Sequence, residues 1–265
     1  MNIILAVILF LLMLYIDKKR GLKLFVSLGM NFVILMVIFY LVALGLNAIV
    51  CSLIGCFVIS CVILLFVNGD NIKTMSSIKA IAIVLLILSV LIFGMAYVSR
   101  IAGFGYESYE EINMFSYDVK IDFTDIAIAM ILISLIGATV DSSIAISSAL
   151  YEVYENNKEL SQKELFMSGM NIGKDILCTT TNTLMFAFLG DFMTLLIWFY
   201  KCHYSFLEII NAKTFVAEMI RILFSAIGCV IVIPVTAYIT TKAIKKRGSA
   251  PPPAEEIHPT LPSEE

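Results

Sequence analysis

Asp141 is the residue of this sequence whose type and position could do chemistry inside a membrane. It lies in a long apolar stretch, about 16 residues after Asp125 and therefore about 24 Å along a helix from it. Charged residues at such depth are costly and are usually functional or paired. Small residues on the same helical face, Gly137 and Ala145 among them, would let another helix approach closely. Others on or near that face are Ser134, Ala138, Ser142 and Ser148.

The next apolar stretch supplies polar partners for Asp141. Thr179, Asn182 and Thr183 can share one helical face, and they lie at about the depth of Asp141 because the two helices run in opposite directions. A carboxyl group beside amide and hydroxyl groups, with no cation at its depth, suits a relay that takes up and releases a proton. The alternative is an Asp141 that stays protonated and only hydrogen-bonds between helices. The residues alone leave both interpretations open.

A second polar cluster is expected nearer the outside. Glu218 and Arg221 are three residues apart, and Asp191 in the preceding apolar stretch falls at a similar depth, about 10 Å from the outer end. We predict that Arg221 pairs with Asp191 or with Glu218. Such a pair is more often structural than part of a transport site.

The sequence offers little other chemistry. The Ser and Thr residues of the apolar stretches have no His or Lys base beside them, and no His/Glu pair of the metal-binding type occurs. The steps of five residues between Cys51, Cys56 and Cys61 turn a helix by about 500° each, so these thiols share no ligand face. We therefore expect no catalytic residue, no metal, no cofactor and no enzyme activity.

Composition sets the class of protein. Of the 265 residues 60% are hydrophobic and 15% are charged, and the mean hydropathy is +0.95. Such a chain cannot cover a water-soluble surface and is too apolar to be disordered. The formal net charge of −3 and the lack of a basic stripe argue against a nucleic-acid partner. Long unbroken apolar runs, rather than alternation, predict an all-α polytopic bundle in contact with the lipid bilayer.

Hydropathy predicts a transmembrane domain over residues 1–247 with about seven spans. A span needs about 20 apolar residues to cross a hydrocarbon core of about 30 Å, and the first predicted span is short. The predicted ranges are 2–16, 24–44, 47–67, 80–97, 125–148, 176–199 and 215–240.

Orientation follows the basic loops. Lys and Arg cluster in alternate loops, which predicts an N-terminus outside and a C-terminus inside. The outer loop at about 98–123 is acidic, and we expect it to be solvated. The basic markers are Lys18, Lys19, Arg20, Lys23, Lys73, Lys79, Lys158, Lys163, Lys174, Lys242, Lys245, Lys246 and Arg247.

Two segments lie outside the predicted spans. In the cytoplasmic segment 151–173, Ser161 and Glu164 have the spacing of a helix-capping box, and apolar residues follow. We expect a short amphipathic helix there, lying on the inner membrane face. The tail 248–265 is rich in Pro and Glu and is expected to be disordered. Its Gly248-Ser249-Ala250 junction is typical of a cloning scar, so the tail is excluded from the fold.

Three blocks of the chain resemble the YibE/F family of bacterial multi-span proteins. They are the Gly-x-x-x-Asp block ending at Asp141, the Ser-Gly-Met-Asn-Ile-Gly-x-Asp block at 168–175, and the Thr-Asn-Thr-Leu block at 181–184. The likeness extends to about residue 245 and is closest to the YibF side, which lacks a large outer domain. It implies a multi-pass protein of the bacterial cytoplasmic membrane. Gly190-Asp191-Phe192 departs from the pattern, so the resemblance implies no role for Asp191.

A remoter similarity concerns proton coupling. The block Gly137-Ala138-Thr139-Val140-Asp141 is similar to the Gly-x-x-Val-Asp block of the SecD and SecF export proteins, which belong to the RND superfamily. Spans two to seven would correspond to one six-span repeat, whose fourth span carries a proton-coupling Asp. RND proteins pair two repeats and this chain has one. The similarity therefore implies a partner, either a homologous YibE-like half or a second copy.

Two functions follow as hypotheses. The first is one half of a proton-coupled transporter or export-assisting complex, with Asp141 as the proton site. The alternative is a non-transporting scaffold or assembly factor that holds a partner in the membrane. The sequence names no substrate and no direction of transport.

Overall fold

The computed structural model describes residues 2–99 and 122–248, and this part of the chain is helical without any strand. Most of the predicted outer loop and the tail 249–265 lie outside the described residues. The helices are α1 (Asn2–Ile16), α2 (Lys18–Ala43), α3 (Ala48–Cys61, continued by a π-helical turn Val62–Val67), α4 (Ile72–Ser99), α5 (Phe123–Asn156), α6 (Gln162–Lys201), α7 (Phe206–Asn211) and α8 (Lys213–Gly248).

Six of these helices are long and apolar enough to cross a membrane, namely α2, α3 with its π turn, α4, α5, α6 and α8. This confirms the predicted all-α polytopic transmembrane bundle. Helix α1 has 15 residues and a length of about 22 Å, which is short of a full crossing. It folds back on α2, where the rings of Phe10 and Phe25 are 4.7 Å apart. Gly21 is required at this hairpin because a Cβ there would overlap the backbone carbonyl of Met13.

The centre of the bundle is formed by α4, α5 and α8, which pack closely on one another. Gly228 of α8 marks the junction: a Cβ there would lie 3.0 Å from Thr139 of α5 and 3.2 Å from Leu88 of α4. Two pairs of buried hydroxyls also join the helices. The Oγ atoms of Ser77 and Ser147 are 2.8 Å apart, and Ser143 Oγ lies 3.0 Å from Thr236 Oγ1. Close backbones and such hydrogen bonds replace the hydrophobic effect that is missing between helices in lipid.

The remaining helices surround this centre. Helix α3 packs on α5, α6 packs on α5 and α8, and α2 packs on α3 and its π turn. The starts of α2, α4 and α6 and the ends of α5 and α8 lie at one end of the bundle, which we call the inner end. Contacts between these elements define it: Arg20 donates to Asn68, and the Lys245 ammonium lies 5.3 Å from the Tyr154 ring centroid.

Helix α6 lies close to α8 because two buried glycines face it. Gly169 and Gly173 are four residues apart, and they oppose Ala237 and Ile233 on α8. A Cβ at Gly169 would lie 3.1 Å from the Ala237 Cβ and 2.9 Å from a methyl of Leu150, and a Cβ at Gly173 would overlap Ile233. The Ser-Gly-Met-Asn-Ile-Gly block therefore has a packing role, as small residues four apart often do between transmembrane helices.

This packing corrects one expectation. Residues 151–173 form no separate helix, since 151–156 end α5 and 162–173 are the first three turns of a continuous α6. The capping box itself is present: the Glu164 N–H donates to Ser161 Oγ at 3.2 Å, and the Ser161 N–H donates to the Glu164 carboxylate at 2.8 Å. The apolar side of the segment faces protein rather than lipid, because Leu165 is fully buried among residues of α5 and α8.

We predict that Gly173→Ala destabilises the bundle by about 1–3 kcal/mol. Ile233 is branched at Cβ and cannot turn its methyl group away cheaply, so the added carbon must push α6 from α8. The midpoint of thermal unfolding in detergent measures the effect. Gly94→Ala is the matched control, because Gly94 is an exposed helical glycine with nothing near its Cβ position. An unchanged midpoint for Gly173→Ala would contradict the packing described here.

Candidate functional site

Asp141 lies near the middle of α5. It is about 27 Å from the first residue of this helix and about 22 Å from the last, by the rise of an α-helix. Helix α5 has 34 residues and is therefore longer than a hydrocarbon core of about 30 Å.

The face of α5 that carries Asp141 is uncovered. Gly137, Asp141 and Ala145 are spaced by four residues and are all exposed, whereas Val140 and Ser142 beside them are buried. Nothing lies within 4 Å of the Cβ position of Gly137. The Asp141 carboxylate forms no hydrogen bond or ion pair with any residue in 2–99 or 122–248. We call the surface of these three residues the α5 small face.

The polar strip of α6 is also at the surface. Thr179, Asn182 and Thr183 are exposed, and among the described residues no hydrogen bond joins them to Asp141. The threonine hydroxyls donate to their own helix instead, Thr179 to the Ile176 carbonyl and Thr183 to the Thr179 carbonyl, each at 2.9 Å. Such back-bonding is the usual use of threonine in a helix. Direct pairing of this strip with Asp141 therefore stays a prediction.

The outer cluster contains one ion pair. Arg221 donates to the Glu218 carboxylate on the same helix, and both side chains are only about one-quarter to one-third exposed. Asp191 of α6 lines the same cavity of about 390 Å³, between α6 and α8. In the described part of the chain it forms no ion pair. The aromatic side chains of Phe188, Phe192 and Trp198 line the rest of this cavity together with Thr194, Leu195 and Thr214.

A short helix positions this cluster. Helix α7 begins with a second capping box, in which Ser205 donates its N–H and its hydroxyl to Glu208. These two hydrogen bonds hold the pKa of the Glu208 carboxyl below its ordinary value. The box begins the short helix in the connection between α6 and α8.

Sequence reasoning missed a polar cavity at the inner end. It has a volume of about 520 Å³ and lies between the start of α2, the turn before α4, and α5. Arg20 and Lys73, which the sequence marks only as indicators of orientation, both line this cavity. The sequence feature that could have indicated the cavity is the pair Asn68 and Asn71 between two apolar stretches. In the structure the Asn71 Nδ2 group donates to the Asn68 carbonyl, and Asn71 Oδ1 accepts from the Thr74 N–H.

No metal cluster emerges from the described ranges, because no three His, Cys, Asp or Glu side chains there are grouped to hold an ion. The six cysteines are free thiols.

We predict that Arg221→Leu lowers the free energy of unfolding by about 1–3 kcal/mol, because it leaves Glu218 without a partner in a partly buried place. Lys158→Leu is the control. It removes the i,i+3 partner of Glu155, but both side chains of that pair are largely exposed, and a change below about 0.5 kcal/mol is expected. Thermal unfolding of both variants in detergent checks this, and equal midpoints for Arg221→Leu and the parent chain would refute the pairing role.

Comparison with known proteins identifies the family. The family model described as YibE/F-like protein matches residues 5–246, which include all eight helices almost completely. No curated protein and no solved structure matches the chain, so the similarity to SecD and SecF gains no support from these comparisons. The three blocks that suggested the family fall within the matched range. The chain is an integral membrane protein and belongs to the YibE/F family.

Proposed function

We propose that the protein is one half of a proton-coupled transporter or export-assisting complex, in which Asp141 takes up and releases the proton. The observation that carries this proposal is an acidic side chain at the middle of a long apolar helix, on an exposed face and with no hydrogen bond or ion pair in the described chain. Its chemistry, rather than any fold comparison, supports the assignment.

The position of Asp141 has a cost in free energy. A charged Asp at the centre of a membrane helix costs about 3 kcal/mol even on the more lenient insertion scales. A helix face that contacts only lipid would gain nothing from an Asp side chain to offset this cost. Asp141 is therefore accounted for if the α5 small face is covered by another protein, in whose presence the carboxyl group has a hydrogen-bonding partner.

The neighbours of Asp141 favour a helix as that partner. Gly137 and Ala145 lie one turn to either side of Asp141 and leave a shallow groove without bulky side chains. Small residues at this spacing let two helix backbones come close enough for interhelical hydrogen bonds. A carboxyl group held there can be neutral when the groove is closed and ionised when water reaches it, which is the requirement for proton coupling.

The partner we propose is a homologous YibE-like half or a second copy of this chain. The exposed strip of Thr179, Asn182 and Thr183 supplies hydroxyl and amide groups that a partner or a rearranged α6 could bring to Asp141. The likeness to one RND repeat motivates the same pairing and remains part of the proposal. So do the bacterial cytoplasmic membrane and the inside position of the C-terminus, which the basic residues at the inner end support.

The alternative class is a scaffold that holds a partner through the same face without moving protons. One observation favours it: the small residues around Asp141 suit close packing whether or not the carboxyl group titrates. The two functions differ in what they need from Asp141. A scaffold requires its size and hydrogen-bonding capacity, whereas a proton carrier requires its acidity.

We predict that Asp141→Asn abolishes proton flux while leaving the complex assembled. Asparagine keeps the size and hydrogen-bonding capacity of Asp but cannot release a proton, whereas Asp141→Glu keeps part of the flux. The measurement is proton movement into liposomes that contain the native complex, followed with an enclosed pH-sensitive dye under an imposed gradient. Asp70→Asn is the control, because Asp70 is an exposed acid in the turn before α4. Equal flux with Asp141→Asn and Asp70→Asn would favour the scaffold.

A further inference from the structure

We infer that the inner cavity is a binding site for the phosphate of an anionic phospholipid headgroup. It has a volume of about 520 Å³, which is in the range of small-ligand sites. Its lining brings together two cations, Arg20 and Lys73, with the polar side chains of Asn68, Asn71, Thr74, Ser148 and Glu152. This inference does not depend on proton transport.

The charges of the cavity suit a phosphate. Neither Arg20 nor Lys73 forms an ion pair in the described part of the chain: Arg20 donates to Asn68 Oδ1 at 3.4 Å, and the Lys73 ammonium lies 4.8 Å from the Tyr151 ring centroid. Glu152 is the one acid of the lining, so the net formal charge of the site is +1. Helix α4 begins beside it, and the N-terminal end of this 28-residue helix adds positive partial charge.

The Asn68, Asn71 and Thr74 groups of the lining are hydrogen-bonded to one another. Asn71 Oδ1 accepts from the Thr74 N–H at 2.9 Å and from the Thr74 hydroxyl at 3.1 Å, while the Asn71 amide donates to the Asn68 carbonyl at 2.9 Å. This network fixes the turn between the π-helical segment and α4. Lys73 lies between Asn71 and Thr74, so the network also helps to hold Lys73 at the cavity.

The level of the cavity selects a lipid as the source of the phosphate. Arg20 is the first residue of the part of α2 that is apolar enough to cross a membrane. Lys73 is the second residue of the corresponding part of α4. Both cations lie at the polar ends of apolar helices, and this is the level that we assign to the lipid headgroups. Helix α2 packs on α3 and its π turn, and the cavity lies between the start of α2 and the inner half of α5. Basic pockets between helices at this level are typical sites for anionic headgroups.

The test is native mass spectrometry of the full chain with added phosphatidylglycerol, cardiolipin or phosphatidylcholine. We expect the two anionic lipids to be retained, and the double variant Arg20→Gln/Lys73→Gln to weaken their binding by about tenfold. The control Lys163→Gln/Lys246→Gln removes the same charge at the same end from exposed residues outside the cavity, and it should bind like the parent chain. Arg20→Lys should keep most of the binding.

Several outcomes would overturn the inference. Equal loss in both double variants would mean that only the overall charge of the inner end attracts lipid. Unchanged binding in Arg20→Gln/Lys73→Gln would place the lipid elsewhere. If inorganic phosphate alone raises the unfolding temperature of the parent chain but not of this variant, and anionic lipid does not, the site holds free phosphate instead. If the double variant fails to fold, the single variant Arg20→Gln tests the inference, and we expect it to weaken the binding of anionic lipid by at least about twofold.

Discussion

Close contact between helix backbones is the constraint on which the bundle depends. Lipid tails are as apolar as the side chains of α4, α5 and α8, so burial alone cannot hold these helices together. Small residues do so instead. Gly228 brings α8 against α5 and α4, and Gly169 and Gly173 bring α6 against α8. The hydroxyl pairs Ser77–Ser147 and Ser143–Thr236 then form where the backbones are near enough.

The same kind of surface occurs once more, without a partner. Gly137 and Ala145 lie one turn to either side of Asp141 on an exposed face of α5, and no atom of another residue fills the space beside Gly137. Inside the bundle such small faces are covered by α8, and an acid within a membrane span likewise requires a covering partner. The central helix of the fold thus has one small face that is used within the chain and one that is open. This asymmetry links the packing of the bundle to the proposed complex.

Much of this could be predicted from the sequence. The long apolar runs gave the helices, and the spacing of Gly137, Asp141 and Ala145 placed these residues on one face. The Ser161–Glu164 box was recognisable, but the helix that it begins was not, because periodicity cannot tell whether Leu165 faces lipid or protein. The inner cavity was missed for a related reason. Arg20 and Lys73 are 53 positions apart, and only the packing of α2 near the turn before α4 brings them to one place.

Site-specific photo-crosslinking at Ala145 in the native membrane tests the central claim most directly. A photoreactive amino acid there lies one turn from Asp141 on the α5 small face, and one at Val90 is the control because Val90 is 73% exposed on α4. The account predicts that the Ala145 probe joins the chain to a second copy or to a YibE-like relative, and that the Val90 probe does not. Reaction of both probes with lipid alone would contradict it, because Asp141 would then face the bilayer without a protein partner.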